Sequence, residues 1–150
     1  MSHLARLVLV WMVHLQDPNG WGITPEWAAS YPETAQEIAD AAEAAPLLGD
    51  VDRTASLMTV WAFRESRFNR RALGDGGGSV GLFQVGRFWG DTSTAGALRL
   101  MHESFRVCAK RPLAERMSWY AAGGSGCDRR NELSRSRMLA AKALAAMVEP

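Results

Sequence analysis

The N-terminal segment carries apolar side chains at the spacing of one helix face. These positions are Leu4, Leu7, Val8, Trp11, Met12 and Leu15. The pattern predicts a buried helix over Ser2–Gln16, with Ser2 as its cap and the turn sequence Asp17-Pro18-Asn19-Gly20 as its end. Because the apolar run is too short to cross a bilayer and lacks a convincing small-residue cleavage site, we expect neither a membrane span nor a signal peptide.

Caps, prolines and apolar periodicity predict further helices along the chain. We expect them from Pro25 to about Ser30, from Pro32 to about Ala45, from Arg53 to about Arg67 with Asp52 as cap, over 95–109 with Ser93 or Thr94 as cap, from Pro112 to about Ala122, and from Asn131 or Ser134 to near Val148. The predicted fold class is therefore all-α, with six to seven helices around a single core. A length of 150 residues fits one domain, 1–150.

Glu65 continues the apolar face of the helix predicted over Arg53–Arg67. It follows Trp61 by four positions and Ala62 by three, so the three side chains share one side of the helix. A carboxylate at the end of a buried stripe is either paired with a cation or held in a partly desolvated cleft. Taken alone, the residue is more readily explained by a helix-end ion pair with Arg64 or Arg67.

Residues 74–84 read GDGGGSVGLFQ, with five glycines in eleven residues. Glycine loses more backbone entropy on folding than any other residue, so such a cluster lowers stability unless the backbone needs an unusual course there. The stretch is either a slack linker or a tight turn beside a ligand. Its place between Glu65 and the apolar pair Leu82-Phe83 favours the turn, whose backbone would pass close to a ligand.

The charges of the chain are unevenly distributed, although the net charge is only +1, which argues against general nucleic-acid binding. Residues 17–52 carry eight acids and no Lys or Arg, whereas residues 53–150 carry sixteen bases and eight acids. The basic part is either a solvated surface beside an acidic helix or a face for an anionic polymer, such as nucleic acid or cell-wall glycan. Cys108 and Cys127 either form one disulfide or remain free thiols, and their spacing predicts no metal site.

Three short motifs resemble one known family. They are Glu65-Ser66 at a helix end, Gly81-Leu82-Phe83-Gln84 after the glycine-rich stretch, and Tyr120-Ala121-Ala122-Gly123. Together they resemble the catalytic domain of the soluble lytic transglycosylases, lysozyme-like enzymes related to goose-type lysozymes that cleave peptidoglycan. The resemblance covers about residues 53–125 and implies a lysozyme-like catalytic core there, onto which the helices of 2–45 and about 131–148 pack.

The resemblance implies an activity and a set of site residues. Glu65 is the implied catalytic acid and base, which breaks the β-1,4 bond between N-acetylmuramic acid and N-acetylglucosamine and leaves a 1,6-anhydro end. Ser66, Asp75, Ser79, Gln84 and Tyr120 are the implied substrate-binding residues. Neither a cofactor nor a metal is implied. A buried environment at Glu65 would suit the acid, since burial disfavours the charged form of a carboxyl.

Two departures from the family pattern leave alternatives open. Many members have Ser nine residues beyond the Glu, where this chain has Gly74, and an Asn where it has Ala121. Asp75 serves either as the second carboxylate of a hydrolysing muramidase or as a turn residue bonding its own loop. A third alternative is a structural or glycan-binding component of a phage tail or secretion apparatus that does not cleave the glycan.

Other candidate residues have an ordinary structural explanation beside the functional one. Tyr120 either lies near Glu65 or is a core tyrosine. One of Trp27, Trp89 and Trp119 is expected to stack on a sugar, although most tryptophans fill cores. The arginines of the last helix either attract wall polymer or, as we favour, form a solvated face; they are Arg129, Arg130, Arg135 and Arg137.

The expected partners are peptidoglycan glycan strands, and the expected site of action is the bacterial periplasm or cell wall. A small domain that keeps its initiator Met fits a protein carried by a phage virion or tail, or one that makes local openings for a secretion machine. We favour the virion over export by a signal peptide. No nucleic-acid partner is expected.

Overall fold

The computed structural model describes residues 1–147, apart from the side chain of Trp27. Within that range the chain is mainly helical and carries one small antiparallel sheet. The helices are α1 (His3–Gln16), α2 (Pro25–Ala28), α3 (Tyr31–Ala44), α4 (Val51–Ser66), α5 (Thr94–Val107), α6 (Ser118–Ala121) and α7 (Asn131–Ala145). The strands are β1 (Leu73–Gly74), β2 (Ser79–Val80) and β3 (Val85–Gly86). The mainly helical class predicted from the sequence is confirmed.

The ends of α1 follow the predicted chemistry. The Ser2 hydroxyl accepts a hydrogen bond of 3.1 Å from the Ala5 amide, which satisfies one of the free N–H groups of the first turn. After Gln16 the carboxylate of Asp17 accepts from the amides of Trp21 and Gly22, and this closes the turn. No helix among residues 1–147 is both long and apolar enough to cross a membrane.

Helix α4 occupies the centre of the fold and packs against α1, α3 and α7. Nine consecutive residues, Thr54–Ala62, are buried, so its middle is enclosed on every side. Its cap is Asp50, whose carboxylate accepts from the Arg53 amide at 3.0 Å, and not Asp52 as the sequence suggested. The helix begins two residues earlier than expected because Asp50 has the extended backbone that a cap requires.

The glycine-rich stretch forms ordered structure. Strand β2 pairs with both β1 and β3, antiparallel, with Val80 opposite Leu73 on one side and Val85 on the other. A short 3₁₀ turn, Asp75–Gly77, connects β1 to β2. These strands of two residues each were not predicted, since they are too short to show an alternating pattern. The linker interpretation of residues 74–84 is wrong.

The helix predicted from Pro112 to Ala122 is not continuous. A 3₁₀ turn covers Leu113–Glu115, and α6 has only four residues. Serine hydroxyls of other helices form hydrogen bonds with backbone groups just before α6 and within it. Ser134 accepts from the Met117 amide, while Ser104 donates to the Arg116 carbonyl and accepts from the Tyr120 amide. These tertiary bonds replace helical ones, so the segment bends.

Helix α5 begins as predicted, with the Ser93 hydroxyl accepting from the Gly96 amide. Helix α7 begins at Asn131, and its predicted end near Val148 lies outside the described residues. A disulfide joins Cys108, at the end of α5, to Cys127, in the loop before α7. Of the two alternatives for the cysteines, the disulfide is the one present.

The buried apolar side chains form one cluster that reaches from α1 to α7. Its largest fully buried members include Trp11, Trp61, Met12, Ile38 and Met58. Alanines supply much of the surface of α3, at positions 35, 39 and 42, and their small side chains allow α1 and α3 to approach closely. The buried middle of α4 holds this helix in place, and its C-terminal turn brings Glu65 to the surface.

Candidate active site

The C-terminal end of α4 opens into a cleft of about 330 Å³. Its walls come from the end of α4, the three-stranded sheet, the segment after β3, and α6 with the glycines that follow. Of the six site residues predicted from the sequence, Glu65, Asp75, Ser79, Gln84 and Tyr120 line this cleft. Its size lies at the lower end of the range typical of small-ligand sites.

Ser66 is separated from the other five. Its hydroxyl donates to the Ala62 carbonyl one turn back in α4, at 3.0 Å, and the residue borders a different surface depression, shared with Arg67 and Asn69. A serine next to Glu65 in the sequence points about 100° away from it around the helix. Ser66 is therefore the one predicted site residue that the structure does not bring to the cleft.

Two residues with left-handed backbone end α4 and fix the position of Glu65. Arg67 and Phe68 have φ values of 50° and 62°. The turn directs Phe68 into the core, where its ring stands edge-on to Tyr31 with centroids 5.6 Å apart. Because Phe68 anchors the chain directly after the helix, the last turn of α4 is held in place.

Glu65 forms an ion pair with Arg137 of α7. Arg137 Nη1 donates to Glu65 Oε1 at 2.5 Å, and the two side chains are 12% and 29% exposed, respectively. The guanidinium also lies over the ring of Trp61, 4.6 Å from its centroid. The pair with Arg64 or Arg67 suggested by the sequence does not form; Arg67 instead lies over Phe63. The solvated face favoured for the arginines of α7 is wrong for Arg137.

Tyr120 lies beside the same pair. Its ring stands edge-on to Trp61, and its hydroxyl is enclosed without a hydrogen-bond partner among the described residues. Burial, followed by the nearby charge of Glu65, raises the pKa of the Tyr120 hydroxyl well above its usual range, against a smaller opposing effect of Arg137. The phenol therefore stays neutral and keeps its proton as a donor.

Asp75 and Ser79 face the cleft from the two ends of the turn between β1 and β2. The Ser79 hydroxyl donates to Asp75 Oδ2 at 2.7 Å, and the Asp75 side chain is exposed. The carboxylate is thus a member of the turn and of the cleft wall together. In this geometry Asp75 can bond its own turn and still present a carboxylate to the cleft, so the two roles that the sequence left open for it are compatible.

Gln84 holds the floor of the cleft. Its Nε2 donates to the carbonyls of Ala72, directly before β1, and Gly81, directly after β2, both at 3.0 Å. These two bonds hold the outer ends of the β1–β2 hairpin together. A Cβ at position 74 would overlap Gln84 Oε1. Glycine at position 74 is therefore required by this placement of the glutamine.

An aromatic wall, defined as Phe88, Trp89 and Trp119, forms one side of the cleft. The Phe88 and Trp89 rings have centroids 4.9 Å apart, and those of Trp89 and Trp119 5.5 Å. Phe88 is 76% exposed and Trp89 38% exposed. The sequence pointed to Trp89 and Trp119, and the side chain of the third candidate, Trp27, lies outside the described residues.

The sequence reasoning missed Phe88 and the part played by Arg137. Phe88 adjoins Trp89, and two aromatic residues directly before Gly90 were the pattern in the sequence that could have indicated a surface aromatic site. Arg137 carries no local signal, because the bond to Glu65 spans 72 positions. Among the described residues, no group of three or more His, Cys, Asp or Glu side chains is placed to hold a metal ion.

Comparisons with protein families, with curated proteins and with solved structures found no match for this chain.

Proposed function

We propose that this protein cleaves the glycan strands of peptidoglycan by lytic transglycosylation, with Glu65 as the acid and then the base. The observation that carries the proposal is the convergence of Glu65, Asp75, Ser79, Gln84 and Tyr120 on one cleft. These residues were selected from the sequence, in its motifs or in the glycine-rich stretch, and they come from three separate segments of the chain. The lysozyme-like fold and the family resemblance are part of the same proposal.

The first chemical step is proton transfer from the Glu65 carboxyl to the oxygen that links N-acetylmuramic acid to N-acetylglucosamine. The bond from that oxygen to C1 breaks, the N-acetylglucosamine side leaves with the proton, and positive charge develops at C1 and the ring oxygen. Glu65, at the open end of a rigid helix, can reach a bond held in the cleft.

The second step returns the proton to Glu65. The carboxylate takes it from the 6-hydroxyl of the muramic acid as that oxygen bonds to C1, which gives a 1,6-anhydro end and restores the carboxylic acid. No water is consumed, and one carboxylate serves both steps because donation in the first prepares the base for the second. The Tyr120 phenol, neutral and close to the Glu65 charge, is suited to orient this carboxyl.

The aromatic wall supports a sugar substrate. Flat rings offer apolar faces to the C–H faces of pyranose rings, and exposed aromatic side chains at a cleft are typical of ligand sites. Phe88 and Trp89 are accessible for such contacts. Arg87, which precedes them, is bonded through Nε to the Gly77 carbonyl and so fixes the wall to the glycine turn.

The disulfide supports a site of action in the periplasm or cell wall, since disulfides persist in oxidising compartments. We propose delivery there as part of a phage virion or, as the alternative, a secretion apparatus. In either setting, the enzyme would open the wall locally.

A second candidate function is hydrolysis by the same Glu65. Asp75 favours it, because a second carboxylate lining the cleft is the group that an inverting muramidase uses to activate water. Replacing Asp75 by Asn separates the two reactions. Transglycosylation requires only Glu65 and continues, whereas hydrolysis stops.

The experiment that tests the enzyme proposal is loss of turbidity of purified cell walls. We expect the wild-type protein to clear the suspension and Glu65→Gln to reduce the rate by about 10²-fold or more. Glu43→Gln, the same change at an exposed position of α3, is the matched control and leaves the rate unchanged. Absence of clearing by the wild-type protein would favour a non-catalytic wall-binding component, and clearing unaffected by Glu65→Gln would remove Glu65 from the mechanism.

A further inference from the structure

The guanidinium of Arg137 is held from two sides. Nη1 donates to Glu65 Oε1, and the plane of the group lies over Trp61. Arg135, two positions earlier on the same helix, is different: it is half exposed and lies 3.6 Å from Glu115. The contact of Arg137 with the acid is therefore specific to this position of α7 and is not a general property of its basic face.

The stability of the fold does not account for this ion pair. Removing two charges from water costs free energy that their attraction regains only where every donor and acceptor is satisfied. Arg137 Nε is enclosed and has no acceptor among the described residues, so this condition is not met. The pair lies at the cleft and not in the core, since Glu65 is 29% exposed there, and this position points to a role in the chemistry of Glu65.

We propose that Arg137 is a positioning residue that fixes the Glu65 carboxyl at the cleft and stabilises the negative charge that forms there when the carboxyl donates its proton. This inference rests on the proposed function, because a carboxyl that must donate a proton is sensitive to a cation beside it. A cation at hydrogen-bond distance favours the charged form of a carboxyl, so it stabilises the product of that step.

The other charged and titratable groups around Glu65 do not replace this cation. Tyr120, from α6, is neutral, and Asp75, from the sheet region, has its carboxylate bonded to Ser79. On α4 itself, Arg64 is exposed and Arg67 lies over Phe63. Among residues 1–147, the cation that bonds Glu65 is Arg137.

The test is the steady-state kinetics of muropeptide release from purified walls. Arg137→Met keeps the apolar stem over Trp61 and removes the charge, and Arg137→Gln is a second neutral variant should the first fold poorly. We expect either variant to lower kcat by about 10-fold with KM nearly unchanged, because the lost charge acts on Glu65 and not on substrate binding. Arg137→Lys retains the charge and is expected to restore kcat to within about 3-fold of wild type.

Arg135→Met is the matched control on the same helix, and we expect its kcat and KM to equal those of the wild type. Neutral variants of Arg137 with an unchanged kcat, or Arg137→Lys with a kcat as low as theirs, would overturn the inference while leaving the enzyme proposal intact. A wild-type protein that releases no muropeptides at any pH would overturn the enzyme proposal, and this inference with it.

Discussion

The rings of Trp61 and Tyr120 meet edge to face, with centroids 5.6 Å apart and planes at 87°. The contact joins the buried face of α4 to α6, and it brings the Tyr120 hydroxyl into an enclosed place near Glu65 without giving it a hydrogen-bond partner among the described residues. The position of Tyr120, at the cleft and near the charge of Glu65, favours a part in the proposed reaction.

Replacing Tyr120 by Phe therefore separates stability from activity. The ring contact with Trp61 is kept and the unsatisfied hydroxyl is removed, so we expect the free energy of unfolding to stay the same or to rise by up to about 1 kcal/mol. Muropeptide release is expected to fall by about 10-fold, because the variant lacks the hydroxyl that is proposed to orient the Glu65 carboxyl during the reaction. Chemical unfolding and a rate assay check the two parts. A fall in stability with no fall in rate would make Tyr120 a core residue only.

The two tyrosines of the chain predict how stability changes at alkaline pH. Burial raises the pKa of Tyr31, and burial and the Glu65 charge raise that of Tyr120, from the usual value of 10.0. Because the pKa of each tyrosine is higher in the folded protein than in the unfolded chain, its contribution to the free energy of unfolding is complete below about pH 10. The contribution is lost as the pH rises further, because the unfolded chain releases the proton more readily than the folded protein does. Unfolding curves from pH 8 to 11.5 check this. Both Tyr31→Phe and Tyr120→Phe should make the decline less steep, and a decline unaffected by either would contradict it.

Two adjacent glycines provide a matched test of the aromatic wall. Gly123 and Gly124 both have left-handed φ values, of 64° and 85°, so alanine strains the backbone at either position. A Cβ at Gly123 meets nothing within 4 Å, whereas one at Gly124 lies 2.9 Å from Trp89 Cζ2 and 3.3 Å from Trp119 Cζ2.

We expect both alanine variants to lose a similar amount of stability, and only Gly124→Ala to weaken binding of cell-wall glycan further, by about 2- to 10-fold, as it displaces a ring of the wall. Sedimentation of each protein with purified walls measures the affinity, with thermal unfolding as the control for the backbone cost. Equal affinities for the two variants would show that Trp89 and Trp119 do not contact the sugar.

The disulfide is expected to contribute to stability through the unfolded chain. It closes a loop of 19 residues between α5 and α7, and cross-links of this length add about 2–4 kcal/mol by restricting the unfolded state. Unfolding of the protein with and without reductant, and of a Cys108→Ser/Cys127→Ser variant, measures the difference. Identical curves would contradict a bond that forms in solution.

Many local features of this fold could be predicted from the sequence, although the Asp50 cap and the two-residue strands could not, and the tertiary features could not. The Ser2 cap and the place of Glu65 at the end of an apolar face follow from short-range patterns, and the structure confirms them. The break before α6 depends on hydroxyls of Ser104 and Ser134, which come from distant helices.

The candidate site likewise combines residues that local patterns predict with a residue that only the tertiary structure brings in. Five of the six residues chosen from the sequence line one cleft, because each of the segments that carry them ends a helix or forms a turn whose geometry is local. The cation on Glu65 comes from a helix 72 positions away, and no local pattern distinguishes Arg137 from its exposed neighbour Arg135.

Mass analysis of the muropeptides released from purified walls tests the central claim most directly. We expect wild-type protein to release products with 1,6-anhydro ends that borohydride does not reduce, Asp75→Asn to release the same products, and Glu65→Gln to release almost none. Products with reducing ends would make the enzyme a hydrolase. Failure of the wild-type protein to release any product, or release undiminished by Glu65→Gln, would contradict the account.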